Sequence, residues 1–145
     1  SAFDAFEHDV EIALNTYRIE LDRALGNRYK IDIQYTDVFV DLDDCLVIRG
    51  RLNHQLVGFL YKAFADGKRI TLLTRHVQNV DETLRKLRIR DLFDHIVQIT
   101  DNMPKSTYID TRAAVFIDDS FRERESVAQC VGIPVFAPDM VECLL

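Results

Sequence analysis

The sequence predicts an α/β fold: a parallel sheet covered by helices on both faces. Three observations carry this. Apolar, β-rich runs of five or six residues alternate with amphipathic segments from Asp37 to Leu145, the pattern of parallel strands joined by crossover helices. The runs are apolar almost throughout, as strands buried on both faces must be. Each of the first four ends in polar residues able to do chemistry, at the edge where such sheets carry function.

The elements follow in order. VFVDL (Val38–Leu42) is the first strand. Asn53–Ala65 is helical, with Leu56, Phe59, Leu60, Ala63 and Phe64 on one face and Asp66-Gly67 closing it. RITLLT (Arg69–Thr74) is the second strand. Val77–Leu87 forms a helix carrying Val80, Leu84 and Leu87. HIVQIT (His95–Thr100) is the third strand, and Lys105–Arg112 a short helix. AAVFID (Ala113–Asp118) is the fourth strand. Ser120 is placed to cap a helix over Phe121–Val131, and IPVFA (Ile133–Ala137) is the fifth strand.

Ahead of this alternation, Phe3, Phe6, Val10, Leu14, Tyr17, Leu21 and Leu25 recur at helical steps, and Gly26-Asn27 supplies a stop signal. Residues 1–30 are therefore expected to form an amphipathic helix. It would pack on the domain below, or pair with a second copy or a fused partner. Residues 31–145 are expected to make up the main α/β domain, with YKIDIQY (29–35) as a short edge strand.

Bulk composition fits one domain with a real core: 145 residues, 48% hydrophobic and 29% charged. A net charge of −6 and a pI near 5.1 argue against a basic nucleic-acid-binding surface. No apolar run approaches a membrane span, so no membrane role is expected. The acidic start SAFDAFEHD lacks the positive region of a signal peptide. Cys45, Cys130 and Cys143 are too few and too scattered for a disulfide framework. A reducing, cytoplasmic setting is the simplest expectation. The absence of an initiator Met suits a processed product or a piece of a longer chain.

The strand ends deliver Asp41, Asp43 and Asp44 after the first strand, Thr74, Arg75 and His76 after the second, Thr100, Asp101 and Asn102 with Lys105 beyond after the third, and Asp118, Asp119 and Ser120 after the fourth. Carboxylates converging on one point need counter-charge. A hard cation such as Mg²⁺ suits them and keeps positions for water and a phosphate oxygen. A lysine and a hydroxyl beside the cluster suit a phosphoryl group. Asp41 could then act as a nucleophile, and Asp43, two residues on, as general acid and base.

These stretches resemble the four motifs of the haloacid dehalogenase (HAD) superfamily of phosphohydrolases. VFVDLDDCL resembles the first motif, Asp-x-Asp-x-(Thr/Val) after an apolar strand. ITLLTR (Ile70–Arg75) resembles the second, Lys105 fills the third, and VFIDDS (Val115–Ser120) resembles the fourth. The four occur in family order over residues 38–120. The resemblance implies a three-layer α/β/α, Rossmann-like domain and phosphate monoester hydrolysis through a phosphorylated aspartate.

It further implies that Asp41 is the nucleophile and a metal ligand. Asp43 would be the general acid and base, its backbone carbonyl on the metal. Thr74 would bond the phosphate, with Arg75 as a further substrate contact. Lys105 would neutralise the nucleophile and the phosphate. Asp118 would bind Mg²⁺ directly, and Asp119 would bind it through water or orient Lys105. The backbone N–H groups of Leu42 and Asp43 would help hold the phosphate. An acid at position 43 points to phosphate esters, since dehalogenases and phosphonate hydrolases of this pattern lack it. Cys45 stands where the family usually has Thr or Val. Lys86 is an alternative third-motif lysine.

Asp41 and Thr74 are 33 positions apart, too close for a cap domain beyond a flap at about 46–52. The gap from Thr74 to Lys105 also holds only a helix and a strand. Capless members leave an open site that suits large phosphorylated substrates or a lid borrowed from a partner. Two other readings are weighed, the second of them disfavoured by the acidic pair Asp118-Asp119 that closes the fourth strand. One is a catalytically weak HAD-like module that positions partners within a larger biosynthetic assembly. The other is a receiver-type phosphoacceptor domain, which would split its acids between the first and third strands.

Overall fold

The computed structural model describes residues 33–145. The expected N-terminal helix, and most of the edge strand at 29–35, lie outside the described residues. Within the described part, Ile33–Tyr35 is not a strand. Ile33 and Tyr35 instead pack against the core, and Lys68 donates its ammonium to the carbonyl of Tyr35 at 2.7 Å.

Five parallel strands form the sheet: β1 (Asp37–Val40), β4 (Arg69–Thr74), β5 (His95–Gln98), β6 (Ala114–Ile117) and β7 (Val135–Phe136), in the spatial order β5-β4-β1-β6-β7. The chain steps outward from β1 through β4 to β5, then returns to the other side of β1. The switch point, where such sheets place their sites, therefore lies between β1 and β6. Their register pairs Val40 with Ile117. Asp41 and Asp118 are thus the next residue on two adjacent strands, and the Asp41 N–H donates to the Ile117 carbonyl at 3.0 Å.

Alternate residues of the strands feed two cores. Val38, Val40, Ile70, Leu72, Val115 and Ile117 meet Leu56, Phe59, Leu60 and Ala63 of α1 (His54–Ala65) and Val80 and Leu84 of α2 (Val80–Lys86). Phe39, Leu73 and Phe116 meet Val127 of α3 (Phe121–Cys130), together with Ile99, Ile109 and Ile133. Each fully buried Leu or Phe contributes roughly 1.5–3 kcal/mol.

The helices begin at side-chain caps. Asn53 accepts from the N–H of Leu56, Asn79 from Glu82 and Ser120 from Glu123. The Asn79 cap starts α2 three residues later than the periodicity predicts and leaves Val77 fully exposed. The short helix expected over Lys105–Arg112 is a 3₁₀ turn over Lys105–Tyr108. The last strand, expected over Ile133–Ala137, is two residues long and is followed by a 3₁₀ segment over Pro138–Leu144.

The expected flap is a small antiparallel hairpin, β2 (Val47–Ile48) and β3 (Arg51–Leu52). Arg49 and Gly50 both have positive φ, 52° and 75°, as a two-residue hairpin turn requires. Between β1 and β4 the chain holds this hairpin and α1; between β4 and β5 it holds α2 and a 3₁₀ turn. No cap domain is inserted among the described residues. No helix among them is long and apolar enough to cross a membrane.

Candidate active site

The centre of the site is a buried lysine. Lys105 is 3% exposed, and its ammonium lies 2.6 Å from Asp118 Oδ2 and 2.9 Å from Asp41 Oδ1. It is presented by the 3₁₀ turn after β5, whereas the two acids end β1 and β6. The sequence distance between Lys105 and Asp118 is short because that turn and β6 are almost consecutive. Lys86, the alternative, is instead an exposed partner of Glu82 within α2.

Asp118 is fixed further. Its Oδ1 accepts the Ser120 N–H at 2.9 Å, and its carbonyl accepts from Arg124 at 2.7 Å. Burial, then the neighbouring Asp118, push Asp41 up to about 7 against the pull of Lys105. Burial works against the Lys105 ammonium, but Asp41 and Asp118 outweigh it and raise its pKa. One lysine does not fully offset this much buried negative charge. Asp119, exposed beside Asp118, is also raised above the ordinary carboxylate value, by partial desolvation and then by Asp118. Oxygens of Asp41, Asp118 and Asp119 lie within 4.8 Å of one another. An all-oxygen set short of counter-charge fits a hard divalent cation.

Asp43 stands apart from these three. Both of its carboxylate oxygens face His76 Nδ1, at 2.8 and 3.1 Å. A cavity of about 240 Å³ lies over the cluster, lined by Asp41, Asp43, Arg75, Lys105, Asp118, Asp119, Ser120 and Glu123. A larger surface hollow of about 590 Å³, with Tyr61, Phe64, Arg85 and Arg88 among its walls, has no residue from a strand's carboxyl end. The chemistry converges on the smaller one.

Thr74 is fully buried at the end of β4, where its Oγ1 accepts the His76 N–H at 3.0 Å. Arg75 reaches the site but is engaged. Its guanidinium donates to Glu123 Oε1 and to the carbonyls of Asp101 and Met103. Lys105 is oriented by Asp41 and Asp118 rather than by Asp119. Asp44 is exposed with φ 57°, a turn conformation that Asp tolerates. Cys45 is fully buried, and its thiol donates to the Ile117 carbonyl at 3.7 Å. Burial, then the surrounding aspartates, raise its pKa far above the ordinary thiol value.

Two further residues have structural work here. Glu123, in the first turn of α3, takes Arg75 on one oxygen and the backbone N–H of Lys105 on the other at 3.1 Å. His76, one of the residues delivered after β4, is the partner of Asp43.

No family model matches the chain, and no curated protein matches it. Solved structures do share its fold. An uncharacterized protein from Corynebacterium glutamicum ATCC 13032 Kitasato superposes with a TM-score of 0.58 at 12% identity, covering 74% of this chain and 93% of that one. The core domain of a candidate phosphoglycolate phosphatase from Streptococcus pneumoniae TIGR4 superposes with a TM-score of 0.54 at 19% identity, covering 72% of this chain and 80% of that one. At these identities the likeness establishes the fold.

Proposed function

We propose that the chain is a capless HAD-type phosphohydrolase that cleaves phosphate monoesters with Mg²⁺ through a phosphorylated Asp41. The observation that carries this is the buried Lys105 bridging Asp41 and Asp118, with Asp119 beside them and Asp43 held separately. A structural ion pair needs one acid per lysine, and this surplus of carboxylates is costly unless a cation and a phosphate are its purpose. The fold shared with a candidate phosphatase core agrees with the reading.

Asp41, Asp118 and Asp119 would hold the ion through side chains, with the Asp43 carbonyl as a fourth protein ligand. A bound Mg²⁺ supplies charge neutralisation for the nucleophile and the phosphate oxygens. The chain's own groups do the rest. Lys105 holds Asp41 in place and offers its charge to the phosphate. Asp41 attacks phosphorus. Asp43 gives a proton to the leaving oxygen, then takes one from the water that releases phosphate. The Thr74 hydroxyl, which accepts from His76, keeps its own hydrogen to donate to a phosphate oxygen.

The deciding experiment is an aryl phosphate panel with and without Mg²⁺ on wild type and Asp41→Asn. Mg²⁺-dependent turnover that Asp41→Asn abolishes is the expected result. A wild type inert across the panel would overturn the reading and favour a module that positions partners.

A further inference from the structure

We propose that His76 is a positioning residue that fixes the carboxyl group of Asp43 for proton transfer to the leaving group; this rests on the phosphohydrolase reading. The contact joins the loop after β1 to the loop after β4. The Asp43 side chain is 54% exposed and that of His76 only 16%, so the buried partner is the anchor and the exposed one is what it holds.

His76 is itself fixed from both sides of its backbone. Its N–H donates to Thr74 Oγ1 at 3.0 Å, and its carbonyl accepts from Gln98 Nε2 at 2.6 Å. Its Nε2 is buried without a partner among the described residues, so the imidazole has been turned to serve Asp43 at the expense of its other nitrogen. Arg75, one residue earlier, goes the other way, to Glu123 and the loop after β5.

The consequence is a division of labour. An exposed aspartate two residues from Asp41 would be free to turn into the group formed by Asp41, Asp118 and Asp119. As a fourth carboxylate there it would no longer carry a proton for the substrate. His76 keeps it outside that group.

In the first half-reaction an Asp41 oxygen bonds to phosphorus and the ester P–O bond breaks. Its electron pair goes to the leaving oxygen, which takes the Asp43 proton. kcat/KM reports this half-reaction. Poor leaving groups depend on that proton and good ones do not.

The test compares phenyl phosphate with dinitrophenyl phosphate in the presence of Mg²⁺. His76→Ala is expected to lower kcat/KM roughly 10- to 100-fold on phenyl phosphate and less than about threefold on dinitrophenyl phosphate. His76→Asn, which keeps an N–H donor near the Nδ1 position, should recover most of the loss. Independently of turnover, Asp43→Asn in metal-free protein should shift the ring ¹⁵N signals of His76. Equal losses on both esters, or none on phenyl phosphate, would overturn the assignment. So would an unchanged ¹⁵N spectrum. If wild type hydrolyses neither ester, the phosphohydrolase reading fails and takes the role with it, while the ¹⁵N measurement still reports on the contact.

Discussion

Lys105 and Asp118 form a 2.6 Å ion pair in which the side chains are 4% and 1% exposed, respectively. Asp41 Oδ1 lies 2.9 Å from the same ammonium. The lysine is thus the only neutralising side chain within hydrogen-bond reach of two buried acids among the described residues.

Removing it should be felt in stability before any question of activity. Lys105→Met keeps the volume and leaves two facing carboxylates unpaired. We expect a loss of about 3–5 kcal/mol near neutral pH, measured by denaturant unfolding. The loss should shrink as pH falls and the acids take up protons. A pH-independent difference would point to packing instead.

The position of Asp41 predicts an unusual pH profile for the metal-free protein. Its pKa is raised from 3.8 in the unfolded chain to about 7 in the fold. Between these values the folded state retains a proton that the unfolded state has lost. Stability must therefore fall as pH rises from about 4 to about 7, by on the order of 4 kcal/mol from this group, and then level off. Mg²⁺, favouring the ionised form, should flatten the slope, and Asp41→Asn should remove it. Unfolding curves with chelator and with Mg²⁺ across this range check the sign.

Glu123 should behave as part of the site rather than as a helix surface residue. Glu123→Ala removes the acceptor for the Lys105 N–H and for Arg75. Because Arg75 is partly exposed, its share of the ion pair is small. The buried backbone donor dominates, and a loss of about 1–3 kcal/mol is expected. Turnover should fall as well, since Lys105 is displaced. A stability change under about 0.5 kcal/mol would mark an ordinary surface position.

Cys45 should accept Thr. The thiol makes one weak bond to the Ile117 carbonyl in a fully buried place, and a Thr hydroxyl can make the same bond. Cys45→Thr is expected within about 1 kcal/mol of wild type by thermal or denaturant melts. Cys45→Leu should overpack and lose about 1–3 kcal/mol.

Much of this was legible in the chain. Hydrophobic runs such as ITLLT and AVFI have only one way to be buried on both faces, so the strands and the residues at their ends could be read in order. Ser120 was recognisable as a cap for the same local reason. The roles of Glu123 and His76 were not. Ser120 and Glu123 have the spacing of a capping box, in which the Glu would turn back to the Ser N–H. Here Asp118 Oδ1 already takes that N–H, which frees the Glu123 carboxylate for Lys105 and Arg75. That competition is settled by tertiary placement alone. His76 meets an aspartate 33 residues away, a pairing no periodicity encodes. α2 starts at Val80 rather than at the expected Val77 because Asn79 caps it, and a cap outweighs a continuing apolar rhythm.

The register that pairs Val40 with Ile117 also divides the molecule by how freely it can change. Asp41 and Asp118 hang from neighbouring strands, so the gap between them is a dimension of the lattice itself. The Arg49-Gly50 hairpin and the loop at Asp101–Met103 belong to no strand of that lattice. If the chain is the phosphohydrolase proposed above, exchanging those loops should retune which esters are admitted while leaving affinity for the ion untouched. New substrates would then be reached by refitting the rim, and the floor would stay as it is.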